Sequence, residues 1–94
     1  MIDMGSLGGG GTAPYAMNDA GQVVGTSQRA EGEGGVHAFS WTRRGGMVDL
    51  GTLPGGDSSF AMAVGPTGIV VGSSTTRVPG ELRAVLWIPR HRVR

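Results

Sequence analysis

Apolar and polar residues alternate along this chain in short runs, and the runs are separated by turn-forming residues. The runs are rich in valine and are bounded by Gly, Pro, Asn, Asp or Ser. Alternation with a period of two residues between such boundaries is typical of β-strands rather than helices. The pattern predicts strands at Ile2–Leu7, Pro14–Met17, Gln22–Ser27, Val36–Thr42, Met47–Leu53, Phe60–Val64, Ile69–Ser74 and Arg83–Ile88.

Three kinds of connection join these strands. Asn18–Gly21 and its counterpart Gly65–Gly68 predict tight turns, each ending on a glycine that can take a positive φ. Arg43–Gly46 predicts a short hairpin. The segment Gln28–Gly35 is longer and polar, and it differs between the two halves of the chain, so a surface loop without a core role is expected.

The strands fall into two copies of one pattern, because residues 47–88 repeat residues 1–42. The offset is 46 residues, with one residue inserted near Ser59 and one removed in the following loop. A period of this length indicates stacked supersecondary units that bury their apolar faces against one another. The matching segments are Met1–Gly10 with Met47–Gly56, Tyr15–Ser27 with Met62–Ser74, and His37–Trp41 with Arg83–Trp87.

Four strands per repeat predict an all-β fold of two tandem four-stranded antiparallel blades, a partial β-propeller. The chain is interpreted as a single β-repeat domain, 1–94, with repeat 1 at about 1–46 and repeat 2 at about 47–94. In structural phase, blade 1 is expected at about 13–53 and blade 2 at about 58–88. The second blade lacks a fourth strand, and residues 2–7 are the candidate to complete it.

Two pairs of repeated residues have expected structural roles. Trp41 and Trp87 occupy the same place in their repeats, and we expect both to be buried, filling the space between neighbouring sheets. Gly25 and Gly72 follow the valine pairs. A glycine there indicates a close backbone approach or a β-bulge.

Composition narrows the functional classes. The chain has 94 residues, 19 glycines, no cysteine and a net charge of +1. Disulfides and thiolate chemistry are therefore excluded, and no global charge favours nucleic acid or membrane binding. No apolar run is long enough to predict a membrane span. No signal peptide is recognisable, and Met1 falls within the repeat, so the chain is expected to be a fragment of a longer protein.

Several residues are candidates for chemical sites. His37 could act as a ligand or general base, but Arg83 replaces it in repeat 2, which favours a structural role. Asp3 and Asp49 could bind a cation, although bonding to turn amides is the commoner role. The glycines at Gly8–Gly11 could approach a phosphate, and Gly55–Ser59 weakly resembles a calcium-binding glycine repeat.

The remaining signals favour no site. No GxSxG nucleophile motif is present, and the basic end Arg90–Arg94 is expected to be solvated rather than bound to nucleic acid. The sequence therefore assigns no catalytic, cofactor-binding or metal-ligating residues and implies no cofactor.

The repeat resembles the HAF repeat, a family of probable extracellular bacterial repeats. The resemblance rests on Leu50–Gly56, Ala16–Gly25, His37–Trp41 and Gly45–Gly51, and it covers essentially the whole chain. Repeat 2 departs from the pattern at Arg83–Val85, which replaces His-Ala-Phe, and at Gly65-Pro66, which replaces Asn18-Asp19. The resemblance implies an all-β, propeller-like, secreted protein and supplies no catalytic residues.

These observations predict a non-enzymatic β-repeat module that acts as a scaffold or as a protein- or glycan-binding surface. Its expected partners are an unidentified protein or glycan, neighbouring repeats, or further copies of itself. One alternative is a fragment of a propeller enzyme such as a glycoside hydrolase, which would need two suitably spaced carboxylates. A second alternative is a calcium-stabilised extracellular repeat.

Overall fold

The structure is a computed structural model that describes residues 1–29 and 35–89. Within these residues the chain is all-β, with no helix. Most of the predicted Gln28–Gly35 loop and the basic end Arg90–Arg94 lie outside them. The strands are β1 (Gly8–Met17), β2 (Val23–Arg29), β3 (Val36–Thr42), β4 (Gly46–Asp49), β5 (Ser59–Val64), β6 (Val70–Thr75) and β7 (Leu82–Trp87).

The strands form two antiparallel sheets in which sequential strands are neighbours. Sheet 1 has the order β1-β2-β3-β4, and sheet 2 has the order β5-β6-β7. The register repeats with the sequence: Val23 lies opposite Trp41 in sheet 1, and Val70 lies opposite Trp87 in sheet 2. The internal sequence repeat is therefore also a repeat of strand pairing.

The turns follow their sequence signals. Gly21 has a φ of 87° and donates its N–H to the Asn18 carbonyl at 3.1 Å. Gly68 has a φ of 94° and makes the same bond to Gly65, also at 3.1 Å. Glycine takes this left-handed conformation without the steric penalty of a Cβ. The hairpin glycine Gly46, with a φ of 73°, opens β4.

The core lies between the two sheets. It consists of Val24 and Ala38 from sheet 1 and Ala61 and Val70 from sheet 2. Val24 is fully buried, whereas its repeat equivalent Val71 is 45% exposed. Because successive side chains on a strand point to opposite faces, sheet 1 buries the face that sheet 2 leaves open. The opposite face of sheet 1 is not bare, because Phe39 on that face is also fully buried.

A glycine opposite a bulge is common to both sheets, as the sequence predicted. A Cβ on Gly72 would lie 1.9 Å from the Phe60 carbonyl oxygen, and one on Gly25 would lie 2.1 Å from the Ala13 carbonyl oxygen. The pairing register shifts at these places, between Ala61 and Ala63 in β5 and at the matching point of β1. Glycine is required here because the bulge brings the neighbouring backbone too close for a side chain.

The predicted strand Ile2–Leu7 is wrong. Residues 1–6 are in no strand, and Leu7 makes only an isolated bridge to Arg29 in sheet 1. The segment therefore does not complete the second sheet, which has three strands in the described part of the chain. A strand needs a partner, and among the described residues no strand lies beside Ile2–Ser6 as β3 lies beside Met47–Asp49.

Other strand limits shift by smaller amounts. β4 ends at Asp49 rather than Leu53, because the chain turns at Gly51, whose φ is 78°. β1 begins at Gly8 rather than Pro14, although glycine is a poor strand former. The longer β2 supplies the partner for this extension.

The two tryptophans are equivalent in register but not in packing. Both are half-buried rather than fully buried, which corrects the expectation for this pair. Trp87 packs against the core cluster from sheet 2. Trp41 lies on the same side of its own strand, and that side of sheet 1 faces away from sheet 2.

Candidate functional site

A histidine–aspartate pair joins the last two strands of sheet 1. His37 lies on β3 and is only 7% exposed, and its Nδ1 lies 2.7 Å from Oδ1 of Asp49 on β4. The two residues share a face, because Phe39 lies opposite Asp49 and His37 is two positions further along β3. The pair therefore connects β3 to the end of β4, which supports the structural role that the repeat favoured for His37.

Both repeated aspartates bond to turn amides. Asp49 Oδ1 accepts the Gly51 N–H at 2.8 Å, and Asp3 Oδ1 accepts the Gly5 N–H at 2.9 Å. Gly5 and Gly51 both have positive φ, 83° and 78°. The segment after Met1 and the segment after Met47 thus adopt the same turn, although only the second follows a strand.

Buried hydroxyl groups bind each turn to its own sheet. Ser27 and Ser74 are buried at equivalent positions on β2 and β6. Ser27 Oγ accepts the Leu7 N–H at 2.9 Å, and Ser74 Oγ accepts the Leu53 N–H at 2.8 Å. These matched bonds fix the path by which each repeat enters its first strand.

A third hydroxyl connects the two sheets. Buried Ser59 on β5 accepts the Ala38 N–H of β3 at 2.8 Å through its Oγ. At the equivalent position in repeat 1, the Thr12 hydroxyl donates to the Gly5 carbonyl at 2.8 Å. Thr12 can also accept a hydrogen bond, as Ser59 does.

The glycine-rich segments serve the backbone in this structure. Gly8–Gly11 lie within β1, where a Cβ on Gly9 would clash with the Arg29 carbonyl. In the segment Gly55–Ser59, Asp57 Oδ1 accepts a hydrogen bond from Thr75 Oγ1 at 3.2 Å. Among residues 1–29 and 35–89, no three His, Cys, Asp or Glu side chains group as metal ligands would.

Large apolar side chains are exposed at the ends of the repeat array. On β7 and just after it, Leu82, Leu86 and Ile88 are 59%, 61% and 67% exposed. At the amino end, Ile2 is 53% exposed, and Met1 is fully exposed. Exposed apolar residues that cluster in this way indicate an interaction surface.

A groove lies beside the amino end of the chain. Its walls are residues Met1–Gly5 on one side and Thr12 and Pro14 of β1 on the other. The equivalent residues in repeat 2 are Met47–Gly51, Ser59 and Ala61, and β3 lies between them. The amino-terminal groove thus corresponds to the site that β3 occupies in repeat 2.

Sequence reasoning missed the hydroxyl network and the His37–Asp49 contact. The signal for the network was present, since a serine follows the glycine by two positions in both copies, at Ser27 and Ser74. The hairpin register around Arg43–Gly46 would also have placed His37 diagonally across from Asp49. Both contacts can be predicted only after the strands have been paired, because the pairing decides which side chains lie close together.

No helix among the described residues is long and apolar enough to cross a membrane. Comparisons of the chain with protein-family models, curated proteins and solved structures found no match.

Proposed function

We propose that this chain is a non-enzymatic β-repeat module of a longer secreted HAF-repeat protein, in which it serves as a scaffold or binding surface. The propeller-like arrangement is part of the proposal. One observation carries it. Sheet 2 leaves exposed the face that sheet 1 buries, since Val71 is 45% exposed and its repeat equivalent Val24 is fully buried. Repeat arrays gain stability by covering such faces with neighbouring repeats.

The roles of the carboxylates support a structural rather than a catalytic function. Asp3 and Asp49 accept hydrogen bonds from their own turns, Asp57 accepts one from Thr75, and Glu81 accepts one from Thr76 at 2.7 Å. Glycosidases instead direct two carboxylates at one scissile bond. Each of these four carboxylates accepts a hydrogen bond from a backbone amide or a threonine hydroxyl group of the same chain.

A hydrolysis assay tests the non-enzymatic proposal. The purified chain is incubated with a panel of chromogenic aryl glycosides, with the Asp49→Asn and Asp57→Asn variants as matched controls. We expect the release of the chromophore to stay at the rate of the buffer blank for all three proteins. Turnover by the unmodified chain that either substitution abolishes would contradict the proposal and support the glycoside hydrolase alternative.

A calcium titration tests the remaining alternative. We expect the melting temperature of the chain to be the same in excess calcium and in excess chelator, because its turns are closed by internal hydrogen bonds. A calcium-dependent rise in melting temperature that saturates with concentration would favour a calcium-stabilised repeat, since a ligand that binds only the folded state stabilises it.

A further inference from the structure

The two ends of the repeat array are complementary to each other. Within the chain, β4 pairs with β3, so that Met47 lies opposite Trp41 and Asp49 lies opposite Phe39. Shifting both strands by the repeat offset places Met1 opposite Trp87 and Asp3 opposite Val85. In the part of the chain that the structure describes, β7 is an edge strand and Met1–Asp3 pairs with no strand.

The turn that follows the Met1–Asp3 segment already has the conformation of its counterpart in repeat 2. The Asp3–Gly5 turn bond and the Leu7–Ser27 bond are both 2.9 Å long. Their counterparts in repeat 2, Asp49–Gly51 and Leu53–Ser74, are both 2.8 Å long. A segment that is ordered before binding loses less conformational freedom when it binds. Residues Asp3–Leu7 therefore need little reordering when Met1–Asp3 pairs as β4 does.

The amino-terminal groove offers the backbone partners that a β7 strand would need. In the internal interface, Leu50 donates its N–H to the Ala38 carbonyl at 3.0 Å, and Ala38 donates its own N–H to Ser59 Oγ. The equivalent bonds to a second copy join the Met4 N–H to the Ala84 carbonyl and the Ala84 N–H to Thr12 Oγ1. Ala84 is exposed, whereas Ala38 is fully buried.

The side chains at the two ends also match. His37 and Asp49 correspond to Arg83 and Asp3, so a cation again meets a carboxylate across the strands. Ser40 and Val48 lie opposite each other, and they correspond to Leu86 and Ile2. Both of these apolar side chains are more than half exposed. Pairing the ends would thus form an ion pair and bring two exposed apolar side chains into contact.

We infer that a second copy of this chain docks its Met1–Asp3 segment on the outer edge of β7, as β4 docks on β3. The contact is head-to-tail, so each copy uses different surfaces at its two ends. Such heterologous contacts build rings when the rotation closes and open chains when it does not. The inference rests on the repeat architecture of the proposed function, but not on the chain being non-enzymatic.

One contact of the interface between the two sheets is absent from the predicted interface with a second copy. Asn18 Nδ2 donates to the Gly65 carbonyl at 3.0 Å and so joins the turns of the two repeats. Gly65, which corresponds to Asn18, has no side chain to make this bond to the next copy. The association is therefore expected to be weaker than the packing of the two sheets within the chain.

Cysteine cross-linking tests the inference, because the natural chain has no cysteine. Ile2→Cys and Leu86→Cys are made in separate chains, which are mixed at micromolar concentration and oxidised. Opposed residues of a hydrogen-bonded antiparallel pair have Cα atoms about 5.5 Å apart, within the range of a disulfide. Met62→Cys, at an exposed position on β5, replaces Leu86→Cys in the matched control.

We expect the mixture of Ile2→Cys and Leu86→Cys chains to form mixed disulfide dimers, and the control mixture to form several-fold fewer. Sedimentation velocity of the unmodified chain should show association that increases with concentration, and Arg83→Glu should raise its dissociation constant several-fold. Homodimers of Ile2→Cys alone, or a folded chain that stays monomeric and does not cross-link, would overturn the inference. Neither result would bear on the absence of catalysis, which the glycoside assay tests separately.

Discussion

At the residue scale, the repeat acts as an internal control, because most structural side chains occur twice in different surroundings. Asp3 and Asp49 make the same turn bond, and Asp49 also contacts the His37 imidazole. Gly25 and Gly72 face the same kind of bulge. Ser27 and Ser74 accept equivalent amide protons. A substitution at one member of a pair can therefore be compared with the same substitution at the other.

Gly72→Ala should destabilise the chain by about 1–3 kcal/mol, because the new methyl group would overlap the Phe60 carbonyl oxygen and force the bulge to move. The measurement is the free energy of unfolding in denaturant. Gly10→Ala is the control, since its Cβ would meet only the Gln28 side-chain oxygen at 3.5 Å. Equal stabilities of the two variants would contradict the steric account.

Asp49→Ala should cost about 1 kcal/mol more than Asp3→Ala, because it removes a hydrogen bond to His37 in addition to the turn bond. The figure is modest because the Asp49 side chain is 39% exposed. Chemical denaturation of both variants, at a concentration where the chain is monomeric, measures the difference. A larger loss in Asp3→Ala would show that the His37 contact contributes little.

At the element scale, the sequence predicts strands wherever a partner is close along the chain. The strand at Val36–Thr42 agrees residue for residue, and the turns at Asn18–Gly21 and Gly65–Gly68 form at their glycines. Ile2–Leu7 has the same apolar pattern as Met47–Leu53, but in the described part of the chain no strand lies beside it to form a sheet. The alternation of apolar and polar residues indicates which face of a sheet each residue would occupy. Whether a strand forms also depends on whether the fold places a partner strand beside it.

The same limit explains why the candidate interaction surface was only partly foreseeable. The sequence shows that Arg83 replaces His37 and that Asp3 repeats Asp49. It does not show that these residues lie at opposite ends of the array, because that depends on which face each sheet covers. The exposure of Val71 against the burial of Val24 settles the direction of stacking.

The two tryptophans should respond differently to substitution. Trp87→Ala should destabilise the fold by about 3–5 kcal/mol, since Trp87 packs on the core. Trp41→Ala should change the stability of the monomer less and should weaken association, because Trp41 lies on the face of sheet 1 that points away from sheet 2. Unfolding curves and sedimentation velocity separate the two effects. Equal loss of monomer stability in both variants would contradict the assignment of faces.

At the scale of the whole molecule, the chain contains one interface between its two sheets. Its two ends carry the surfaces that would form a second interface, between copies of the chain. The internal interface buries Val24, Ala38, Ala61 and Val70. The outer faces carry the equivalent positions, with Val71 and Ala84 at one end and Pro14 and Val23 at the other. Ring propellers need about 4 to 8 blades, so two to four copies would supply the sheets of a closed ring.

Joining two copies covalently should raise the melting temperature. In this tandem chain, a copy of the segment Thr42–Gly46, which connects β3 to β4, links Trp87 to a second Met1. The new junction should form an additional interface and melt several degrees above the single chain, as nearest-neighbour contacts in repeat proteins predict. The matched control carries Leu86→Asp in the first copy only. A tandem chain that melts with the single chain would mean that the ends do not pair.

Amide hydrogen exchange of the unmodified chain, followed residue by residue at low and high concentration, tests head-to-tail strand pairing most directly. By analogy with β3, the Ala84 and Leu86 amides point outward from β7, whereas the Val85 and Trp87 amides point to β6. Protection of Ala84, Leu86 and Met4 should increase with concentration while that of Val85 and Trp87 changes little. Exchange at Ala84, Leu86 and Met4 that is equally fast at all concentrations would contradict the pairing of β7 with a second copy.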